Sequence, residues 1–113
     1  MNAKQIDKNI SDAVHRFIAL IENRYDLVEV IVFGSYARGM QYCDSDVDVA
    51  IVLDGEYDFF NTLMDMSDIT FDVMLETNVF IDPMPIRLDE WEHPEIFSNP
   101  DLLHNIDRDG IRI

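Results

Sequence analysis

One stretch, residues 28–53, constrains the fold of this chain more than any other. Two apolar runs, residues 30–33 and 47–53, flank a glycine and a polar link. Apolar runs of this length, separated in this way, predict a strand, a turn and a second strand. Since side chains alternate along a strand, Asp46 and Asp48 project from the same face. Two adjacent carboxylates repel each other and are costly to hold together without a cation, so the pair indicates a divalent metal site.

The turn between the two runs supplies the second part of a site. Gly34 permits a tight turn or a close approach of the backbone, and Ser35 is a good N-cap for a short helix over residues 36–38. Free N–H groups at the start of a helix suit a phosphate. A phosphate cradle beside two carboxylates predicts that the module binds a metal-bound nucleoside triphosphate.

These residues carry a resemblance to a known family. The Gly34-Ser35 pair, ten further residues and then Asp46-x-Asp48 resemble the GSx10DxD signature of the DNA polymerase β-type nucleotidyltransferase superfamily. The form GSYARG…DSDVDVAIVL is most similar to the minimal nucleotidyltransferases, the small partners of HEPN proteins in toxin–antitoxin pairs. The resemblance implies an α/β (α+β) fold of the polymerase β-like nucleotidyltransferase type, a small mixed β-sheet flanked by helices.

A third carboxylate is expected on a neighbouring strand. Residues 69–75 alternate in a way that predicts a strand, and Asp72 is the charged residue in its middle. Such a residue is costly unless it is paired or coordinated. The resemblance implies that Asp72 completes a triad with Asp46 and Asp48, and that the three are catalytic and hold two Mg²⁺ ions. An edge-strand aspartate that faces solvent is the alternative for Asp72.

The same resemblance assigns the nucleotide contacts. Gly34 and Ser35 would hold the β- and γ-phosphates of ATP through backbone N–H groups and the serine hydroxyl. Arg38 would neutralise a phosphate charge, although an exposed surface charge is an equal alternative. Asp72 would also accept the proton of the attacking hydroxyl group.

Composition limits the partners of the chain. Its 113 residues, 48% of them hydrophobic, predict one folded domain over residues 1–113. Twenty-three acidic and eight basic residues give a net charge of −15, which argues against a nucleic-acid template and favours a basic protein partner. A single cysteine, Cys43, agrees with a reducing cytoplasm. No apolar run suits a signal peptide or a membrane span, so we expect a cytoplasmic protein without a membrane partner.

The rest of the chain is less distinctive. Apolar positions at helical spacing predict amphipathic helices over residues 4–24 and 55–67. Residues 85–88 predict a short edge strand among prolines. Asn99, followed by a proline, predicts the start of a helix that ends at Gly110.

The resemblance implies transfer of AMP from Mg-ATP to a hydroxyl group, with release of pyrophosphate. For this family it implies a tyrosine of a cognate HEPN ribonuclease toxin as the acceptor, with the chain as antitoxin in a hetero-oligomer. One alternative is adenylylation of a small hydroxylated compound such as an aminoglycoside. Another is a non-catalytic module that neutralises a basic partner by covering it. The intact motif argues against that module, and the scarcity of basic residues around Arg38 argues for it.

Overall fold

The computed structural model describes residues 7–34 and 46–113. In these residues β1 (Asp26–Phe33) and β2 (Val47–Asp54) are antiparallel, and β2 and β3 (Ile81–Arg87) are parallel. The last strand, β4 (Ile111–Arg112), pairs antiparallel with β1, which gives the order β3-β2-β1-β4. This mixed sheet with flanking helices confirms the expected fold class. The helices and strands are α1 (Lys8–Ile21), β1 (Asp26–Phe33), β2 (Val47–Asp54), α2 (Phe59–Thr77), β3 (Ile81–Arg87), α3 (Leu88–Glu92), a 3-10 turn (Pro94–Ile96), α4 (Pro100–Asp109) and β4 (Ile111–Arg112).

Each face of the sheet has its own apolar core. Alternate residues of β2 point to opposite faces, so one set packs under α1 and α2 and the other under α3 and α4. We call these the α1/α2 face and the α3/α4 face. The α1/α2 face is built from Val47, Val49, Ile51 and Leu53 of β2 together with Phe17 of α1 and Met66 of α2. The α3/α4 face is built from Ile31, Ala50, Val52 and Ile86 together with Leu103 and Ile106 of α4.

The first predicted helix is confirmed with narrower bounds. Its buried residues recur at helical spacing from Ile10 to Ile21, which places one side of α1 against the sheet. Asp7 caps the helix, because its side chain accepts a hydrogen bond from the Asn9 backbone N–H at 2.7 Å.

The predicted helix over residues 55–67 begins later, and the predicted strand over residues 69–75 is wrong. The structure has one helix, α2, over residues 59–77, and Asp58 caps its start. The buried residues Thr62, Met66, Ile69 and Val73 recur every three or four positions, which is the period of a helix. No glycine or proline interrupts them, and the helix ends only at Asn78, whose φ of 61° is left-handed. The alternation seen in residues 69–75 was too short to outweigh that longer pattern.

The edge strand is longer than the sequence predicted. β3 begins at Ile81, four residues before the predicted start, and pairs with β2 on one side only. Pro83 and Pro85 are two residues apart, so both nitrogens lie on the same side of the strand. An edge strand tolerates proline on the side without a partner, and proline there discourages the addition of another strand.

Helix α4 follows the predicted limits, and the chain end is fastened to the sheet. The Asn99 side chain accepts a hydrogen bond from the Leu102 N–H, and Gly110 ends the helix. Glu29 of β1 accepts hydrogen bonds from Trp91 Nε1 at 3.0 Å and from Arg112 Nε at 2.9 Å. These contacts join α3 and β4 to β1. Within residues 7–34 and 46–113, no helix is long and apolar enough to cross a membrane.

Candidate active site

The predicted carboxylate pair lies at the start of β2. Asp48 stands between Val47 and Val49, which both belong to the α1/α2 core, so its own side chain projects from the α3/α4 face. It is the second residue of the strand, and it is half-buried. Asp46 precedes the strand by one residue and is exposed.

A further carboxylate, Asp82 of β3, lies beside Asp48. The two residues are direct partners in the parallel register of β2 and β3, so their side chains lie on the same face of the sheet. A hydrogen bond of 2.8 Å from Val47 N to Phe80 O, the residue just before β3, supports this register where the two strands begin. Asp82 is exposed. The tertiary fold therefore brings together a carboxylate pair that is separated by 33 residues of sequence.

Gly34 completes the described part of the site. Phe33, the last residue of β1, pairs with Asp48 across the antiparallel register, and Gly34 follows with a φ of 77°. A Cβ atom at Gly34 would overlap Oδ2 of Asp48, and an L side chain rarely adopts this φ. Glycine is required here for both reasons, and the turn backbone lies against a carboxylate as the sequence predicted. Ser35 and Arg38 lie outside the described residues.

Asp72 does not belong to this group. It is an exposed residue of α2, and α2 covers the α1/α2 face, whereas Asp48 and Asp82 project from the other face. The prediction that Asp72 lies on a strand beside Asp46 and Asp48 is wrong, and with it the basis for its role as a metal ligand and proton acceptor. The reason is the misassigned period of residues 69–75.

Asp82 is the residue that sequence reasoning missed. The apolar residues Val79, Phe80 and Ile81 immediately precede it, which is the pattern of a strand entering the sheet. Pro83 obscured that pattern, because proline normally argues against a strand. Weighing the apolar run together with an edge position would have identified the strand.

The donor set suits a hard cation. Carboxylate oxygens are the ligands that Mg²⁺ prefers. Because Gly34 has no side chain, the space next to the Asp48 carboxylate stays open, whereas a Cβ atom at position 34 would overlap it. In the described part of the chain, no three Asp, Glu, His or Cys side chains converge into a metal cluster as they stand. Asp46 and Asp82 are exposed and form no ion pair with any described residue, so their side chains are free to rotate toward Asp48.

A groove at the opposite end of the sheet is separate from these carboxylates. It has a volume of about 770 Å³ and is lined by residues 54–58 and 87–89. Beside it the hydroxyl group of Tyr57 is buried without a hydrogen-bond partner among the described residues. Burial, and next the charge of Glu90, raise the pKa of Tyr57 to about 12. Its lining includes Gly55, whose φ is 91°, and the carboxylates Asp54, Glu56, Asp58 and Asp89, of which Asp89 pairs with Arg87 at 2.8 Å.

The mixed sheet, the carboxylates at the start of β2 and β3, and the glycine turn agree with the nucleotidyltransferase fold that the sequence predicted. The family described as Polymerase beta, Nucleotidyltransferase matches residues 16–113. The chain therefore belongs to the polymerase β nucleotidyltransferase family, and the enzyme class that the sequence implied is confirmed at that level.

Individual relatives agree with this assignment. The chain is 36% identical over 53 residues to Putative protein adenylyltransferase MJ0604 of Methanocaldococcus jannaschii, a match of 45% of this chain and 53% of that protein. The chain thus spans about half the length of the curated relative it matches. A crystal structure of a mutant of the toxin–antitoxin MntA-HpeT has the same fold, with a TM-score of 0.61 and 16% identity over 96% of this chain and 72% of that chain. A putative nucleotidyltransferase from Sulfolobus solfataricus has a TM-score of 0.52 and 20% identity, over 98% of this chain and 90% of that chain.

Proposed function

We propose that this protein transfers AMP from Mg-ATP to a hydroxyl group of a basic partner protein. The acceptor we propose is a tyrosine of a HEPN ribonuclease toxin, which the modification silences, so the chain acts as the antitoxin. The observation that carries this proposal is the register of Asp48 and Asp82 beside Gly34 in a member of a nucleotidyltransferase family.

The residues that would hold Mg²⁺ are Asp46, Asp48 and Asp82. Asp82 takes the place first assigned to Asp72, because it shares a face and a register position with Asp48. The cation, when bound, withdraws charge that develops on the triphosphate. The exposed Asp46 and Asp82 side chains would rotate toward Asp48 to hold the cation, since a bound cation would offset the repulsion between the carboxylates.

The chain's own groups orient and deprotonate the reactants. Backbone N–H groups of Gly34 and Ser35, with Arg38, would bind the triphosphate. A carboxylate oxygen of Asp82 would accept the proton of the attacking hydroxyl. The hydroxyl oxygen forms a bond to the α-phosphorus of ATP, the bond from that phosphorus to the bridging oxygen breaks, and pyrophosphate leaves with that oxygen.

Charge and similarity support a protein acceptor. A surface with a net charge of −15 attracts a basic ribonuclease and repels free nucleic acid. The curated relative is named a protein adenylyltransferase, and one structure of the same fold belongs to a toxin–antitoxin. The first name points to modification of a protein, and the second to a protein partner.

The test is incubation with labelled ATP, Mg²⁺ and the purified protein encoded by the adjacent gene. We expect label on that protein, and mass spectrometry should place one or more AMP groups on tyrosine. Asp48→Asn should reduce the rate by about 10²-fold or more, because it removes a group that acts on developing charge. Asp54→Asn is the matched control, since Asp54 ends the same strand far from Gly34 and is exposed. A tight complex that forms without any transfer of label would contradict the proposal and favour the non-catalytic module.

A further inference from the structure

Helix α2 presents an apolar surface that nothing in the described part of the chain covers. Four of its exposed large side chains lie on one side of the helix, opposite to the buried residues Met66, Ile69 and Val73. We call this surface the α2 stripe. It consists of Phe60 (56% exposed), Met64 (54%), Phe71 (56%), Leu75 (67%) and, just beyond the helix, Phe80 (53%).

The size of the α2 stripe marks it as an interaction surface. Five large side chains, each about half exposed, present on the order of 500 Å² of apolar surface. The largest apolar patch on a typical monomer is roughly 300–600 Å² and is often functional. A stable interface buries about 800 Å² per partner, so the stripe supplies the apolar centre of one. Phe71, Met74 and Phe80 also line a small cavity of about 160 Å³, into which a partner side chain could insert.

The charges beside the α2 stripe select the occupant. Asp68 and Asp72 border it on one side, and both are exposed and form no ion pair with any described residue. Glu76, one turn further, is already paired with Arg16 at 3.0 Å. A second copy of this chain would bring the same unpaired carboxylates and another net charge of −15 to the interface, which is unfavourable. A partner with Lys or Arg beside an apolar surface would neutralise them.

The α2 stripe ends at the carboxylate edge of the sheet. Phe80 O accepts the hydrogen bond from Val47 N, and Val47 lies between Asp46 and Asp48 in the sequence. Asp82 follows Phe80 by two residues. A protein bound along the stripe therefore reaches the edge of the sheet where transfer would occur.

We infer that the α2 stripe is the docking surface for the protein acceptor, which binds through an apolar face bordered by Lys and Arg. This inference rests on the proposed function for the identity of the partner. Docking itself depends only on the stripe and its two carboxylates. Experiments with a peptide probe and with the partner protein distinguish docking from nucleotide transfer.

The first test uses a defined probe. It is a labelled amphipathic peptide of about 18 residues, long enough to form a helix, with a leucine stripe flanked by lysines, and a second version carries glutamates instead. We expect the lysine peptide to bind and the glutamate peptide not to bind. Phe71→Gln with Leu75→Gln should weaken binding by at least about tenfold without changing the charge of the protein. Ile96→Gln is the matched control, since Ile96 is 55% exposed and lies outside the stripe.

If the Phe71→Gln, Leu75→Gln variant binds the lysine peptide as tightly as wild type does, the inference is overturned. Binding would then depend on the net charge of the protein and not on the stripe. A variant with Phe60→Gln and Met64→Gln, at the other end of the helix, tests the same point should the first variant melt abnormally. Asp68→Asn with Asp72→Asn should weaken binding more than Glu56→Gln with Glu92→Gln, which removes the same charge elsewhere.

The second test uses the protein encoded by the adjacent gene as acceptor. The Phe71→Gln, Leu75→Gln variant should raise the acceptor KM by about tenfold and leave kcat at saturation and the thermal shift with Mg-ATP unchanged. An unchanged KM would overturn the inference. If wild type transfers no AMP to this protein while the variant loses tight binding to it, the proposed function fails and the docking surface stands.

Sedimentation of the chain alone tests the other occupant. We expect no self-association through the stripe. A dimer of the wild-type chain that dissociates in the Phe71→Gln, Leu75→Gln variant would overturn the inference in favour of a second copy.

Discussion

The two faces of the sheet use the same strands for different purposes. On the α1/α2 face, β2 contributes four aliphatic residues that are almost fully buried. On the α3/α4 face, the same strand packs Ala50 and Val52 with Leu103 and Ile106 of α4, and it carries the half-buried Asp48 near its start. Alternation along a strand makes this division possible within eight residues.

The comparison shows how stability and chemistry are separated in a small protein. Burial of the aliphatic residues on the α1/α2 face stabilises β2 whatever stands on the other side. That support holds Asp48 next to Asp82, although two adjacent carboxylates destabilise the metal-free protein. Substitutions on the two faces should therefore affect different properties.

The largest expected effect is on the α1/α2 face. Ile51→Ala removes a fully buried side chain from β2 and leaves a cavity, so it should lower the free energy of unfolding by about 2–5 kcal/mol. Urea unfolding measures this change. Nucleotide transfer per folded molecule should remain normal, and a loss of kcat at temperatures where the variant is folded would show that the two faces are not separable.

The next effect tests the third carboxylate. Asp82→Asn should lower kcat for transfer by about 10²-fold while slightly stabilising the protein in EDTA, because one charge next to Asp48 is removed. Asp72→Asn should keep kcat at saturating acceptor, since Asp72 lies on the other side of the sheet, and should change only the acceptor KM. Thermal melts in EDTA and steady-state kinetics of both variants provide the comparison. A normal kcat for Asp82→Asn together with a loss for Asp72→Asn would reverse our assignment.

A smaller effect distinguishes two tyrosines that pack against the α1/α2 core. The Tyr25 hydroxyl donates a hydrogen bond of 2.6 Å to Asp65, so Tyr25→Phe should destabilise the protein by about 1–2 kcal/mol. The buried Tyr57 hydroxyl has no described partner, so Tyr57→Phe should be neutral or stabilising by up to about 1 kcal/mol. Urea unfolding at neutral pH measures both, and equal losses would mean that Tyr57 has a partner in solution.

A further effect is expected only at alkaline pH. Burial, and next the hydrogen bond to Asp65, raise the pKa of Tyr25 to about 12, and burial raises that of Tyr57 to about 12 as well. In the unfolded chain both have a pKa of about 10. The stabilisation is therefore complete below about pH 10 and decreases as the pH rises toward 12, because the unfolded chain releases protons that the folded protein retains. The free energy of unfolding should fall less steeply over this range in Tyr25→Phe, and an unchanged slope would contradict the assignment.

Local patterns in the sequence were sufficient for the parts of the fold that depend on neighbours along the chain. The helical spacing of apolar residues predicted α1, and Asn99 with Gly110 predicted the limits of α4. The two apolar runs predicted β1 and β2, and the need for glycine at position 34 followed from the turn between them. In each case the determining contacts lie within a few residues, so composition and period report them directly.

The third carboxylate was decided only by the tertiary structure. Asp72 and Asp82 both have apolar neighbours in the sequence. The residues next to them along the chain therefore do not indicate which of the two lies beside Asp48. The choice depends on whether residues 69–75 continue a helix and on whether a strand containing two prolines pairs in parallel with β2. Parallel pairing joins residues far apart in the sequence through a crossover helix, here α2, and its register is set by the packing of that helix on the sheet. For that reason the sequence by itself predicted the strands and the turn that carry Asp48 and Gly34, and only the fold could place Asp82 beside Asp48.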